Sequence, residues 1–119
     1  MLAATVENKR LLLAPPDLSI AELAAVLQRC KLHIGADSGV LHLAMALGTP
    51  TLALFRDYPG KAEWLPRGAM HHHLSGPCEC ITLPQPPCAA QEEARCLAQI
   101  TPASVFKEVR QILTKPPAI

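Results

Sequence analysis

Asp37, Ser38, Gly39 and His42 interrupt an otherwise apolar run, HIGADSGVLHLAMALGTPTLALF, from His33 to Phe55. An acid, a hydroxyl, a glycine and an imidazole at this spacing can do chemistry if a helix starts at Ser38. The first N–H groups of a helix have no helical partner and point outward with the positive end of its dipole. Ser38 and Gly39 would then offer an anion site, of the kind that takes phosphate. Gly39 has no side chain to hold a phosphate away from the backbone. His42 follows Ser38 by one helical turn and sits above the same face, where it can donate to a phosphate oxygen. Asp37 would repel phosphate. Its role would be to accept hydrogen bonds from hydroxyls beside the phosphate, as on a sugar. The same residues also have a structural reading, in which Asp or Ser caps a helix and a lone His belongs to the core.

The elements around this cluster set its position. Lys9–Pro16 reads as a short buried strand stopped by two prolines. Asp17–Cys30 reads as a helix, with Ser19 and Glu22 in a capping-box pattern. Ile20, Leu23 and Leu27 fall on one face of it, and Glu22, Gln28 and Arg29 can face water. Lys31–Gly35 is a second strand. Ser38–Gly48 is a helix, apolar apart from His42 and so expected to be buried on most sides, with Gly48 as its stop. Thr49–Phe55 is a third strand. A β-α-β-α-β order with short connections argues a parallel sheet with crossover helices. Asp37 then lies at the carboxyl edge of that sheet, where α/β proteins bind ligands.

After Phe55 the pattern changes. Arg56–Met70 reads as a loop rich in Pro and Gly, and His71–Ser75 as a short fourth strand on which adjacent histidines alternate in face. Thr101–Lys115 is a final amphipathic helix, capped by Thr101 or Ser104, with Pro102 in its first turn. The whole chain, 1–119, is thus expected to form one partial domain: a core over 9–55, a loop-rich cysteine segment over 56–100, and a helix over 101–115.

Composition excludes several classes. At 119 residues with a net charge of +1, the chain has room for one modest core and no basic patch for nucleic acid. Half of its residues are apolar and few are aromatic, which suits α/β better than a β-sandwich. There is no signal-peptide pattern, and no uncharged apolar run reaches the length of a transmembrane span. The expectation is a cytoplasmic protein. There are five cysteines. Cys30 stands apart, while Cys78, Cys80, Cys88 and Cys96 follow a C-x-C, C, C spacing. Four thiolates can hold a structural zinc ion that staples a loop-rich segment, and free thiols are the alternative.

The stretch Leu18–Phe55 resembles the heptosyltransferase family of glycosyltransferases, which add heptose to the lipopolysaccharide core from ADP-heptose. The shared pattern is Leu-Ser-x-x-Glu-Leu over Leu18–Leu23, Asp-Ser-Gly-x-x-His-Leu-Ala over Asp37–Ala44, and Ala-Leu-Gly-x-Pro over Ala46–Pro50. Trp64, Pro66 and the segment Ile100–Val109 are similar to the family's closing part, so the likeness covers residues 17–114. It implies part of the C-terminal, Rossmann-like domain of a GT-B fold, the domain that binds the nucleotide sugar. By that resemblance Ser38 and Gly39 hold the diphosphate, Asp37 holds sugar hydroxyls, and His42 stabilises the leaving diphosphate. No metal is required at that site.

The resemblance also implies what this chain does not supply. The acceptor-binding domain and its acidic general base have no counterpart here, so no catalytic residue is assigned, and a separate acceptor-binding domain is an expected partner. Arg56 stands where family members often carry Gly. A partial sheet should expose apolar edges, so self-association is expected. Peripheral attachment at the inner face of a bacterial inner membrane fits a lipopolysaccharide acceptor. The rival reading is a non-catalytic interaction module, zinc-stapled or not, derived from such an enzyme.

Overall fold

The first helix begins where its capping pattern requires. Ser19 Oγ accepts from the Glu22 N–H at 3.1 Å, and Glu22 Oε1 accepts from the Ser19 N–H at 3.2 Å. Two of the orphan donors at the helix start are satisfied in this reciprocal way. The computed structural model describes residues 10–36, 38–57, 68–77 and 95–114. Its elements are α1 (Ile20–Gln28), β1 (His33–Ala36), α2 (Gly39–Ala46), β2 (Thr51–Asp57), β3 (His71–Pro77), α3 (Arg95–Ala98) and α4 (Pro102–Thr114).

The three strands form one parallel sheet in the order β1-β2-β3. His33 pairs with Thr51 and Thr51 with His71, so the register rows run from the amino ends of all three strands. Side chains in one row of a parallel sheet share a face. Thr51, Ala53 and Phe55 therefore lie on one face with His33 and His71. Leu41 of α2 covers this face and forms a buried cluster with Ala53 and Phe55. Ile34, Ala36 and Leu54 lie on the other face, towards α3 and α4. The result is a three-stranded α/β unit, a partial Rossmann-like domain of the GT-B kind.

Helix α2 ends in a Schellman motif. The Gly48 N–H donates to Met45 O and the Thr49 N–H to Ala44 O, both at 3.0 Å. Gly48 takes φ +77°, a conformation that suits glycine. Thr49 is buried, and its Oγ1 donates to Leu27 O at 2.9 Å, which ties the end of α1 to the start of β2. At the far end of the chain, Thr101 caps α4: its Oγ1 accepts from the Ser104 N–H at 3.1 Å, and Pro102 is the first helical residue.

Four expectations are corrected. Leu11–Pro15 form no strand, and Leu12 is 88% exposed. Pro15 and Pro16 remove two ladder donors, which leaves only three leucines to hold a pairing. Ile20 does not share a buried face with Leu27. It is 77% exposed, because α1 docks through its last turn, where Leu27 is buried. Helix α2 is less enclosed than its composition suggests: Leu41 and Ala44 are buried, but Ala46 is exposed. Strand β2 does not stop at Phe55. It runs on through Arg56 and Asp57, which pair with Gly76 and Pro77 of a β3 that is longer than His71–Ser75. Among the described residues no helix is long and apolar enough to cross a membrane.

Candidate functional site

Ser38 is the residue from which α2 starts, directly after the carboxyl end of β1. Its backbone is extended, at φ −150° and ψ 171°, and its carbonyl accepts the first helical bond from the His42 N–H at 3.3 Å. Its side chain makes no capping hydrogen bond. This separates it from Ser19 and Thr101, whose hydroxyls both cap their helices. The exposed Ser38 hydroxyl is thus not committed to the helix start.

Gly39 is the first residue of α2 and is exposed. Among the described residues, a Cβ placed on it would meet nothing within 4 Å. No internal packing demands glycine there, and its φ is not in the left-handed region. What the missing side chain leaves is open space over the first N–H groups of the helix. Leu41 and Ala44, buried on the opposite side, press α2 against the sheet and fix the direction in which those groups point. His42 is half-buried one turn in. Ser38, Gly39 and His42 are thus brought together on one turn at the carboxyl edge. Asp37 lies outside the described residues.

The cysteine cluster stays untouched by the geometry. Cys78, Cys80 and Cys88 lie outside the described residues. Cys96 falls in α3, with its side chain outside what is described. Among the described residues no three His, Cys, Asp or Glu side chains gather as metal ligands. Cys30 is an exposed free thiol whose Sγ donates to Val26 O at 3.3 Å.

One constellation escapes the sequence reading. His33, Thr51 and His71 form a single register row at the amino ends of the strands, on the face covered by α2. Thr51 Oγ1 lies 2.8 Å from His71 Nδ1. Burial holds the His33 imidazole below its ordinary pKa, and burial followed by the neighbouring His72 does the same for His71. The equal spacing of the row could have been found only by aligning three strands whose ends the sequence leaves uncertain.

A parallel α/β sheet whose carboxyl edge carries an open, glycine-started helix has the layout of the α/β domains that take ligands at that edge. The family model of glycosyltransferase family 9 (heptosyltransferase) matches residues 1–82. The chain belongs to that family. It is also 31% identical over 130 residues to lipopolysaccharide heptosyltransferase 1 of Pseudomonas aeruginosa (strain PAO1). That alignment takes in 97% of this chain and 35% of the relative, so the chain spans about a third of the curated protein it matches. No solved structure matches.

Proposed function

We propose that this chain is the donor-binding part of a heptosyltransferase-like glycosyltransferase, and that it holds a nucleotide diphosphate sugar of the ADP-heptose type at the start of α2. The observation that carries the reading is the pairing of an uncommitted Ser38 hydroxyl with the open space over Gly39. A structural cap would use the hydroxyl, and a packing glycine would have a neighbour. The N–H groups of Ser38 and Gly39 take the diphosphate, and His42 donates to it as it leaves. Asp37 accepts from sugar hydroxyls. Preset donors that meet developing charge are the usual means of assisting such a departure, and they do so without a metal ion. The acceptor, a lipopolysaccharide or related glycan, is held by a separate domain that also brings the base. The setting is the cytoplasmic side of a bacterial inner membrane.

The test is an NMR titration of the chain with ADP and with ADP-heptose. Amide shifts should cluster over residues 38–42 and disappear in Asp37→Ala and His42→Ala. Gly39→Ala should weaken binding while leaving the fold intact, because its Cβ enters only the open space. A folded chain that stays silent at about 1 mM ligand would sink this reading and leave the non-catalytic module.

A further inference from the structure

We propose that the His33–Thr51–His71 row is a proton-sensitive lock on the sheet: the strands keep their register while both rings are neutral, and mild acid releases them.

The geometry is specific. The two rings sit on β1 and β3, the outer strands of the described sheet, and flank a fully buried threonine on the central strand. Thr51 Oγ1 is bonded to one of them. On the other, His33 Nε2 is buried and has no hydrogen-bond partner among the described residues. The ring lies along its own strand over Gly35, where a Cβ would come within 2.9 Å of that nitrogen. A neutral imidazole can tolerate this, at the cost of one unpaired acceptor. A protonated one would aim an N–H at a place with no acceptor and bury a charge.

Among the described residues the surroundings offer a charge on His33 no ionic partner. Strand β2 brings Thr51, Ala53 and Phe55 to this face, all uncharged, and ends it at Asp57, six residues on from Thr51 at the opposite end of the strand. Helix α2 has one titratable group, the half-buried His42. Helix α3 packs on the opposite face, where Leu97 lines a gap with Ile34 and Leu54. Strand β3 adds only His72, whose charge opposes that of His71, and the exposed His73. Among the described residues no carboxylate offsets the desolvation of either ring.

The direction of the pH dependence follows from linkage. Both folded-state values lie below the ordinary 6.5. Above that value folded and unfolded chains are both neutral at these sites, and the full stability is present. As the pH falls below 6.5 the unfolded chain takes up protons first, and stability is lost towards the folded-state values.

The experiment follows the histidine ring resonances and the amide spectrum of the full chain together, from about pH 8 to about pH 5. His33 and His71 should protonate below their ordinary value, in step with loss of the amide signals of residues 33–36, 51–57 and 71–77. Protonation of both rings with those amide signals unchanged would overturn the proposal. His33→Leu and His71→Asn should each remove part of the acid loss in urea midpoint, and the double variant most of it. A double variant that is folded at neutral pH and as acid-sensitive as the parent would also overturn it. If the variants do not fold, the ring titration of the parent chain decides alone.

Discussion

The two faces of the sheet are unequal. On the face under α2, Leu41, Ala53 and Phe55 are sealed, with Phe55 1% exposed. On the other face, a gap of about 580 Å³ separates Ile34, Ala36 and Leu54 from the helical side chains of Leu97, Val105 and Phe106. Phe106 is 63% exposed, and no residue of α4 is buried. Two phenylalanines in one small chain thus have different status. The difference teaches where cohesion resides: in the closed layer that also aims the start of α2. A site built on that layer inherits its rigidity, whereas α4 adds an amphipathic surface with little hold on the sheet.

The sharpest way to break this comparison is to truncate both aromatic residues. Phe55→Ala should cost about 3–5 kcal/mol, enough to unfold a domain of ordinary marginal stability. Phe106→Ala should stay within about 0.5 kcal/mol, as an exposed substitution does. Urea denaturation of the two variants reads the contrast, and equal losses would show that the open face is closed in solution. A smaller effect probes the closed face at its amino end. Gly35→Ala should destabilise by about 1–3 kcal/mol, because its Cβ meets the His33 ring and the covered face gives that ring little room. A variant as stable as the parent would mean that His33 turns away freely. The smallest effect lies away from both faces. Ser19→Ala should cost about 1 kcal/mol through loss of the cap on α1, with the carboxyl-edge site unaffected. The Glu22 carboxyl is held below its ordinary pKa first by the Ser19 backbone N–H and then by its hydroxyl, so its titration in NMR reports the same box.

Much of this was legible in the sequence wherever the signal was local. The capping box at Ser19 and Glu22, the glycine stop at Gly48 and the Thr101-Pro102 start of α4 are written in neighbouring residues, and each stands as expected. The parallel sheet followed from the alternation of short apolar runs with helices. What escaped depends on distant partners. Ile20 has the right spacing for a buried face, but that end of α1 is left exposed. Leu11–Leu13 have strand composition without a strand beside them among the described residues. The row of His33, Thr51 and His71 needs three segments brought into register before it exists. For the candidate site, residue types and spacing pointed to Ser38, Gly39 and His42, but the missing cap bond of the Ser38 hydroxyl and the space left over Gly39 among the described residues are matters of geometry alone.

The bond from Thr49 to the Leu27 carbonyl joins residues 22 apart in the chain, and beside it the His33 N–H donates to Pro50 O at 2.8 Å. Together they close the crossover from α1 through β1 and α2 into β2. Neither bond can form until the intervening chain has already turned back on itself. The entropy of closing that loop is therefore spent before the sheet gives any return, and parallel pairing of this kind is slow for that reason. Assembly of this unit is a gated event, in which the turn that presents Ser38 and Gly39 takes its final direction only when the loop shuts.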